Sequence, residues 1–503
     1  MIVRQGGQMK AIGHSGDGAS PAPVNPTPLT VIKNARKCFL EEGVPLLESL
    51  LKRDSTATTP FILVVENTRA GALAIVGAAI LQQICVLVPS SKEEAMVPYV
   101  AEHTGISLVV NPQTHHVSKH VLASPPPTPA WLQHDQVQNG GGVCMLTSGS
   151  TGRPKVVFCT WSSMFLQGQA TEKALFPHGP CRFVCASSIA HAYAINALFA
   201  IYMSPYGDLC ELLLGIDIHA IQSPMSQPSS LSPPSSASIH STTILYGTPG
   251  IYTKILQSAT SNLSLAHVVS FSAGTTLPAH LKQNLRDSFG LTVLQNYGST
   301  ETGGIATELP SVESPSELKS SLQPVGHPWP DTEVRIVRPT SKGRVTSVDE
   351  DGEIHVRTPW QCAGYVEHGA LTPISRTGFY HTGDGGAVDL TSGIILVGQR
   401  LREPIHFRHQ GLDVFIPPQQ VERTFRTNPH VTDVLLPLLV RSRMSAGFVK
   451  PVALVVAPSS THDELVRWCA AHLPSVVQDL DIRLVEFLPC SPAGKLMYSL
   501  SVD

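Results

Sequence analysis

The feature that most constrains this chain lies between residues 61 and 88. There Phe61-Ile62-Leu63-Val64-Val65 is followed by a small and apolar stretch over 71–81 and then by Ile84-Cys85-Val86-Leu87-Val88. The pattern predicts a strand, a helix and a second, buried strand. Strands alternating with helices imply a parallel sheet with right-handed crossovers. The polar pair Gln82-Gln83 interrupts the apolar run, which is therefore too short for the roughly 20 unbroken apolar residues of a membrane span. The expected fold class is α/β: a large N-terminal domain of parallel-rich sheets with helices, plus a β subdomain and a small mobile C-terminal α+β domain.

A chain of 503 residues has room for about three domains or lobes of ~150 residues each. Residues 1–30 are rich in Gly, Ser and Pro and are read as a flexible tail; Arg4 and Lys10 precede any acid, but no Arg-rich amphipathic face suggests a transit peptide. Residues 124–129 and the Ser/Pro segment 223–238 are expected to be loops within one large domain over 31–398. Past residue 310 short β-like runs at 333–337, 353–357 and 394–397 suggest an antiparallel subdomain. A compact unit over 399–503 follows, with helices near 419–427 and 463–472 and strands at 431–436 and 451–456. The boundary falls between Gly398 and Gly411.

Charged residues make up 15% of the chain, well under the ~25% of an average globular protein, which argues against charge-driven disorder. The formal charge of −3 leaves no basic excess for a nucleic acid partner. Ten cysteines are too dilute for a disulfide scaffold and no secretory signal precedes them, so the expectation is a reducing, cytoplasmic location. The ending Ser501-Val502-Asp503 is not a peroxisomal signal.

Four segments carry chemistry. Leu146-Thr147-Ser148-Gly149-Ser150-Thr151-Gly152-Arg153-Pro154-Lys155 follows an apolar run. Such a loop can turn backbone N–H groups and hydroxyls onto phosphate oxygens, with Lys155 adding charge. It is not a Walker loop, because Pro154 stands where that pattern needs Gly. Asn296-Tyr297-Gly298-Ser299-Thr300-Glu301-Thr302 offers an aromatic to stack on a base, a hydroxyl for a phosphate and a carboxylate for Mg²⁺. Asp384, in Tyr380-His381-Thr382-Gly383-Asp384, is placed to accept both hydroxyls of a ribose, or else merely caps a turn. Gly494-Lys495 ends the series, on a loop where a Lys is commonly only a solvated charge.

In order and spacing these segments resemble the adenylate-forming superfamily of acyl-CoA synthetases, nonribosomal peptide synthetase adenylation domains and beetle luciferases. The resemblance runs from about residue 30 to 500 and is supported by Ser272-Ala273-Gly274, Val325-Gly326-His327-Pro328 and Gly364-Tyr365. It implies that a carboxylate attacks the α-phosphate of ATP, giving an acyl-adenylate and pyrophosphate, before the acyl group passes to a thiol or amine. Bringing two anions together is an electrostatic problem, met by positioned donors and cations.

By that resemblance Thr147, Ser148, Gly149, Ser150, Thr151, Gly152 and Lys155 hold the β- and γ-phosphates. Thr300 binds near the α-phosphate and Glu301 ligates Mg²⁺. Tyr297 stacks on adenine, with Asn296, Gly298 and Gly274 beside it; Asp384 holds the ribose, with Arg400 or Arg402 reaching it. Lys495 bridges the carboxylate and the α-phosphate when the small domain closes. His191, in Ser187-Ser188-Ile189-Ala190-His191, is the candidate beside the acyl group. No acid lies between Cys181 and Pro205, which favours an acid lacking an α-amino group. A zinc reading of Cys181, Cys185 and His191 lacks a fourth ligand.

The hinge departs from the family pattern. Gln399 stands in the Arg place, Glu403-Pro404 lies where an Asp is usual, Arg408 replaces a Lys, and Tyr498 stands near the end where Arg is common. The leading expectation is an AMP-forming acyl-CoA synthetase using a small carboxylic acid, ATP, Mg²⁺ and CoA. A separate carrier-protein thiol or an amine is the alternative acceptor, and an inactive nucleotide or acyl binder is the remaining class.

Overall fold

Strands that are apolar on both faces need cover on both faces, and the chain supplies it by stacking two large sheets about buried helices. The computed structural model describes residues 2–5, 8–11, 29–51, 59–122, 129–147, 154–176, 179–222, 242–257, 263–309, 322–337, 352–375, 377–401, 405–409, 412–416, 418–440, 451–473, 480–489 and 499–501. The 124–129 and 223–238 segments lie almost wholly outside these, as do Ser148 to Gly152, Arg402 and Lys495.

The first sheet has eight strands. Its centre is parallel: Leu108–Asn111, Phe61–Val65, Ile84–Pro89 and Gly142–Thr147 lie side by side in that order. Antiparallel strands finish both edges, His116–Lys119 on one and Lys155–Thr160, Gly364–Glu367 and Ala370–Pro373 on the other. The second sheet has twelve strands. Glu211–Leu214, Cys181–Cys185, Thr242–Gly247, Val268–Ser272 and Val293–Ser299 form its parallel half. Gly303–Thr307, Gln323–Pro328, Ile395–Arg400, Tyr380–Val388, Gly352–Arg357 and Glu333–Val337 continue it antiparallel. The antiparallel region expected past residue 310 is thus an extension of the main sheet, because the short return at Thr300-Glu301-Thr302 folds Gly303–Thr307 directly onto Val293–Ser299.

Between the sheets run helices with almost no polar side. Arg69–Ile80 buries every residue from Gly71 to Ala79, and Ala192–Met203 buries Ala194 to Ile201. A helix that is apolar all round belongs in a core. Both share one cluster with Leu63, Leu87 and Met145 of the first sheet and Phe183, Leu212 and Tyr246 of the second. Trp161–Leu175 packs beside Ala192–Met203 through Gly168, where a Cβ would come within 2.7 Å of the Phe199 backbone. None of the helices among the described residues is long and apolar enough to cross a membrane.

Beyond Arg400 the chain builds smaller pieces. Ile405–His409 pairs with Leu412–Ile416, and Asp433–Leu435, Val452–Val456 and Asp481–Leu484 form a three-stranded sheet. Helices Pro418–Phe425 and His462–His472 pack on it around Phe425, Val455 and Leu465. Thr461 and Glu464 close a reciprocal capping box at the start of the second helix, which fixes where it begins. The helices and strands read from the sequence in this region lie within two residues of those observed. Two further points differ from the reading. Ile2–Gln5 and Gln8–Ala11 form an antiparallel hairpin inside the stretch expected to be a tail; Gly6-Gly7, between them in sequence, is a pair that suits a tight hairpin. Ile395–Arg400 keeps Gln399 and Arg400 in the large sheet, two residues past the 31–398 range but within the expected boundary region of 398–411, because Arg400 pairs with Asp384.

The Gly168 contact is backbone against backbone, so a methyl group there forces the two inner helices apart. Gly168→Ala should lower stability by about 1–3 kcal/mol, the usual cost of overpacking a tight core, read as a lower denaturant midpoint.

Candidate active site

Ligands in open α/β sheets collect beyond the carboxyl ends of the parallel strands. Here two such edges meet. Asn67, just after Phe61–Val65, donates from Nδ2 to the Ser187 carbonyl (2.9 Å) and accepts at Oδ1 from the Ile189 N–H (2.9 Å), both beyond the end of Cys181–Cys185. The carboxyl edges of the two sheets are therefore tied to each other. Val268–Ser272 leads to Gly274 and Val293–Ser299 carries Asn296, Tyr297 and Gly298 on the second of these edges; Gly142–Thr147 carries Thr147 on the first.

The phosphate-loop candidate is the mouth of a β-hairpin. Thr147 and Lys155 are register partners, the last pair before the turn. Lys155 is exposed, and its Nζ lies 5.0 Å from the centre of the Tyr365 ring. The Tyr365 hydroxyl donates to Glu301 Oε1 at 3.1 Å and lies 3.0 Å from the Tyr380 hydroxyl. Backbone bonds hold the same junction: the Cys362 N–H donates to the Glu301 carbonyl (2.8 Å), and Cys159 Sγ lies 3.9 Å from the Thr300 carbonyl. Lys155, Glu301 and Tyr380, from three separated sequence motifs, thus meet at Tyr365.

Asp384 forms the second centre. The Tyr297 hydroxyl donates to its Oδ2 (2.8 Å), and Arg400 Nη1 donates to its Oδ1 (3.1 Å). Both oxygens of this carboxylate are thus engaged by donors from two different strands. Gly383 has φ +72°, and the Arg400 guanidinium lies about where a Cβ contact would fall, 3.4 Å away. The backbone angle favours glycine there, whereas the guanidinium would make only an ordinary contact with a Cβ.

Gln295 positions the neighbouring loop. Its Nε2 donates to the Ser272 carbonyl (3.1 Å), its Oε1 accepts from the Leu277 N–H (2.9 Å), and so the exposed turn at Gly274 (φ +91°) is pinned on both sides. Asn296 is buried and its Oδ1 accepts from the Thr307 hydroxyl at 3.3 Å. His191 stands exposed at the N-cap of Ala192–Met203, on the edge that Asn67 anchors. Two residues on, Tyr193 stacks on Tyr246 with ring centres 4.5 Å apart, and its hydroxyl donates to the Phe271 carbonyl.

The site's electrostatics follow from these contacts. Burial, and then the charge of Asp384, pushes the Tyr297 phenol well above its ordinary pKa. Burial followed by the charge of Glu301 does the same to Tyr365 and Tyr380. Burial is the largest influence on Arg400 and opposes its charge, but the combined attraction of Asp384, Tyr380, Glu301 and Tyr297 exceeds it, so the pKa of this guanidinium is raised. Glu301 is half-buried, and the hydrogen bond it receives comes from a neutral phenol. A carboxylate held in this way keeps hard oxygen for a Mg²⁺ ion. The residues present therefore fit that ion.

The profile of the AMP-binding enzyme family matches residues 48–366. The chain belongs to this family. The matched span includes the Thr147–Lys155 and Asn296–Glu301 segments; Asp384, Arg400 and Lys495 lie beyond it. Among curated relatives, 4-coumarate–CoA ligase 1 of Solanum tuberosum is 28% identical over 365 residues, 70% of this chain and 62% of the relative. Peroxisomal OPC-8:0-CoA ligase 1 of Arabidopsis thaliana is 23% identical over 364 residues, 72% of this chain and 63% of the relative. The match thus spans less than two thirds of these relatives' length. The fold is similar to that of Bacillus subtilis o-succinylbenzoate CoA synthetase in complex with its acyl-adenylate intermediate, with a TM-score of 0.64, 19% identity and coverage of 93% of this chain and 98% of the other. ATP-bound MatB from Rhodopseudomonas palustris is similar at a TM-score of 0.63 and 16% identity, over 92% of this chain and 91% of the other.

Of the sequence candidates, Thr147, Lys155, Asn296, Tyr297, Gly298, Thr300, Glu301, Gly274, Asp384 and Arg400 lie around the joined edges and the sheet extension next to them. Ser148, Gly149, Ser150, Thr151, Gly152 and Lys495 fall outside the described residues. The bridging of Lys155 and Glu301 by Tyr365, and the roles of Asn67 and Gln295, were not read from the sequence. The Gly364-Tyr365 pair was the only trace of the first; nothing in local spacing marks the other two.

The three raised phenols set a pH dependence. Below about pH 10 they are protonated in the folded and unfolded chain alike. Above it, unfolding releases protons that the folded chain retains, so stability should fall as pH rises beyond 10. Denaturant midpoints from pH 8 to 11 should show this fall, and Tyr297→Phe should make it shallower.

Proposed function

We propose that the chain is an AMP-forming acid–thiol ligase that activates a small carboxylic acid with ATP and passes the acyl group to CoA. The single observation that carries the reading is the convergence of the hairpin mouth at Thr147 and Lys155, Glu301 and Asp384 along one contiguous edge. That arrangement suits a molecule with a triphosphate at one end and a sugar diol at the other.

In this reading the hairpin Thr147, Ser148, Gly149, Ser150, Thr151, Gly152 and Lys155 holds the β- and γ-phosphates. Thr300 donates near the α-phosphate, and Glu301 holds Mg²⁺. When bound, that ion supplies charge neutralisation at the phosphate oxygens. Tyr297, locked by its bond to Asp384, presents its ring to adenine between Asn296, Gly298 and Gly274. Asp384 accepts the ribose hydroxyls, held in place by its bonds to Tyr297 and Arg400. Lys495, on a C-terminal domain over 399–503, closes over the large domain of 31–398 and neutralises both the entering carboxylate and the α-phosphate. His191, beside the Tyr193–Tyr246 aromatic stack, borders the acyl group.

CoA as acceptor is supported by relatives named as CoA ligases that are similar over 70% or more of the chain. A carrier-protein thiol or an amine is the second reading, favoured by the altered hinge residues Gln399, Glu403, Pro404 and Arg408. A reducing, cytoplasmic setting is supported by the nine described cysteines, all free; Cys181 and Cys210 remain unjoined with sulfurs 3.7 Å apart.

Acid-dependent exchange of labelled pyrophosphate into ATP should proceed without CoA, and thioester should form only with it. A panel of acids that gives adenylates but never CoA thioesters would transfer the assignment to the second reading. No exchange with any acid would remove both. Lys495→Ala should slow adenylation by about 10²–10³, the usual cost of losing one preorganised transition-state donor, while leaving thioester formation from supplied acyl-adenylate near the parent rate. Glu301→Gln keeps the Tyr365 bond but loses the charge, and should raise the Mg²⁺ concentration needed for half-maximal exchange at least tenfold.

A further inference from the structure

Gly352–Arg357 and Tyr380–Val388 are paired antiparallel. Ile354 and Val356 are fully buried in a small apolar core, so Glu353 and His355 take the opposite face. His355 is the register partner of His381, and a shift in register between Glu353 and His355 adjusts the ladder at this point. The two imidazoles stack with centres 3.9 Å apart and planes 15° from parallel. Glu353 Oε2 lies 3.1 Å from His355 Nε2. One donor atom from each of Glu353, His355 and His381 falls within 4.8 Å of the others, the only such grouping of three or more among the described residues.

We propose that Glu353, His355 and His381 form a binding site for a borderline divalent transition-metal ion of the Zn²⁺ class. Two imidazole nitrogens and one carboxylate oxygen are the ligand set that zinc accepts with a fourth position left to water. Around an ion at ~2.0–2.1 Å, tetrahedral ligands stand about 3.4 Å apart, so small side-chain rotations bring these donors in. His355 is 8% exposed and sits within the sheet, whereas His381 is exposed, so the ion has an entry path from solvent. Arg335, the register partner of His355 on the other side, carries the nearest fixed cation, but its guanidinium is turned onto the Phe379 ring 3.9 Å away and does not fill the site.

The site also has a support. Glu353 Oε1 accepts from the Gly383 N–H at 3.0 Å. A carboxylate that ligates with one oxygen and is oriented through the other has the outer-shell bond that metal sites use to fix a ligand. Gly383 precedes Asp384, so an ion drawn to Glu353 clamps the turn from which Asp384 projects. This role is separate from that of Mg²⁺ at Glu301, whose ligand is a lone carboxylate without nitrogen donors.

Cobalt(II), a spectroscopic substitute for zinc, tests the site without any turnover. The full-length protein, stripped with a chelator and dialysed, is titrated with Co²⁺ and the visible ligand-field absorption followed, then Zn²⁺ is added in competition. The expected result is one intense band per chain, displaced by Zn²⁺, and at least tenfold weaker Co²⁺ binding in His381→Ala. Circular dichroism confirms that this exposed-site variant is folded. Glu353→Gln, whose amide oxygen can still accept from Gly383, should weaken binding while leaving the thermal midpoint of the metal-free protein within a degree or two. Unchanged Co²⁺ affinity in both variants would place the ion on other histidines and overturn the proposal, as would the absence of a Zn²⁺-displaceable band in the parent. Neither outcome bears on pyrophosphate exchange, so the ligase reading stands or falls separately.

Discussion

The geometry of the site depends on helices that have no polar face. Arg69–Ile80 and Ala192–Met203 can be stable only where sheets cover them on both sides, and that requirement holds the two large sheets in one core. Once the sheets share that core, their carboxyl edges are brought close enough for Asn67 to satisfy backbone groups of both 187 and 189. The crevice is a consequence of packing. Its lining can then be polar and irregular, because the scaffold beneath it supplies the stability.

The antiparallel half of the second sheet completes the arrangement by returning to the first. After Gly352–Arg357 the chain crosses over, and Gly364–Glu367 pairs with Lys155–Thr160. That single ladder puts Tyr365 between Lys155 and Glu301. Without the crossover, the cation of one sheet and the carboxylate of the other would have no common neighbour. The phenol is a suitable spacer, since it donates to the carboxylate and offers its π face to the ammonium. A direct ion pair would instead have consumed both charges.

Local signals in the sequence reveal a good deal of this. The apolar strands at 61–65 and 84–88, the helix between them and the two C-terminal helices are legible because each has its own period and its own boundary residues. The hairpin and the turns at Tyr297 and Asp384 are legible because glycine, hydroxyl and carboxylate residues cluster at strand ends. Asn67 and Gln295 are silent, since their partners lie 120 and about 20 residues away in sequence and an amide side chain announces no preference among them. Arg400 is an intermediate case. The sequence offers Gln399, Arg400 and Arg402 as candidates near the hinge, and only the register of Ile395–Arg400 against Tyr380–Val388 selects Arg400 for Asp384.

That register also bears on how a C-terminal domain could move. Arg400 is held by Asp384, and the Leu401 N–H donates to the Gly383 carbonyl at 2.6 Å. Residues as far as 401 are therefore bound to the turn that presents Asp384, and the proposed rotation carrying Lys495 would have to pivot beyond them. Glu403-Pro404 is the next sequence available, and the ring of Pro404 restricts its φ to about −65°. A pivot there has fewer backbone torsions to turn than one through an ordinary residue, and the residue before the proline is biased toward extended conformations as well. Asp384, proposed as the carboxylate that meets the ribose, is also the residue to which Arg400 is anchored.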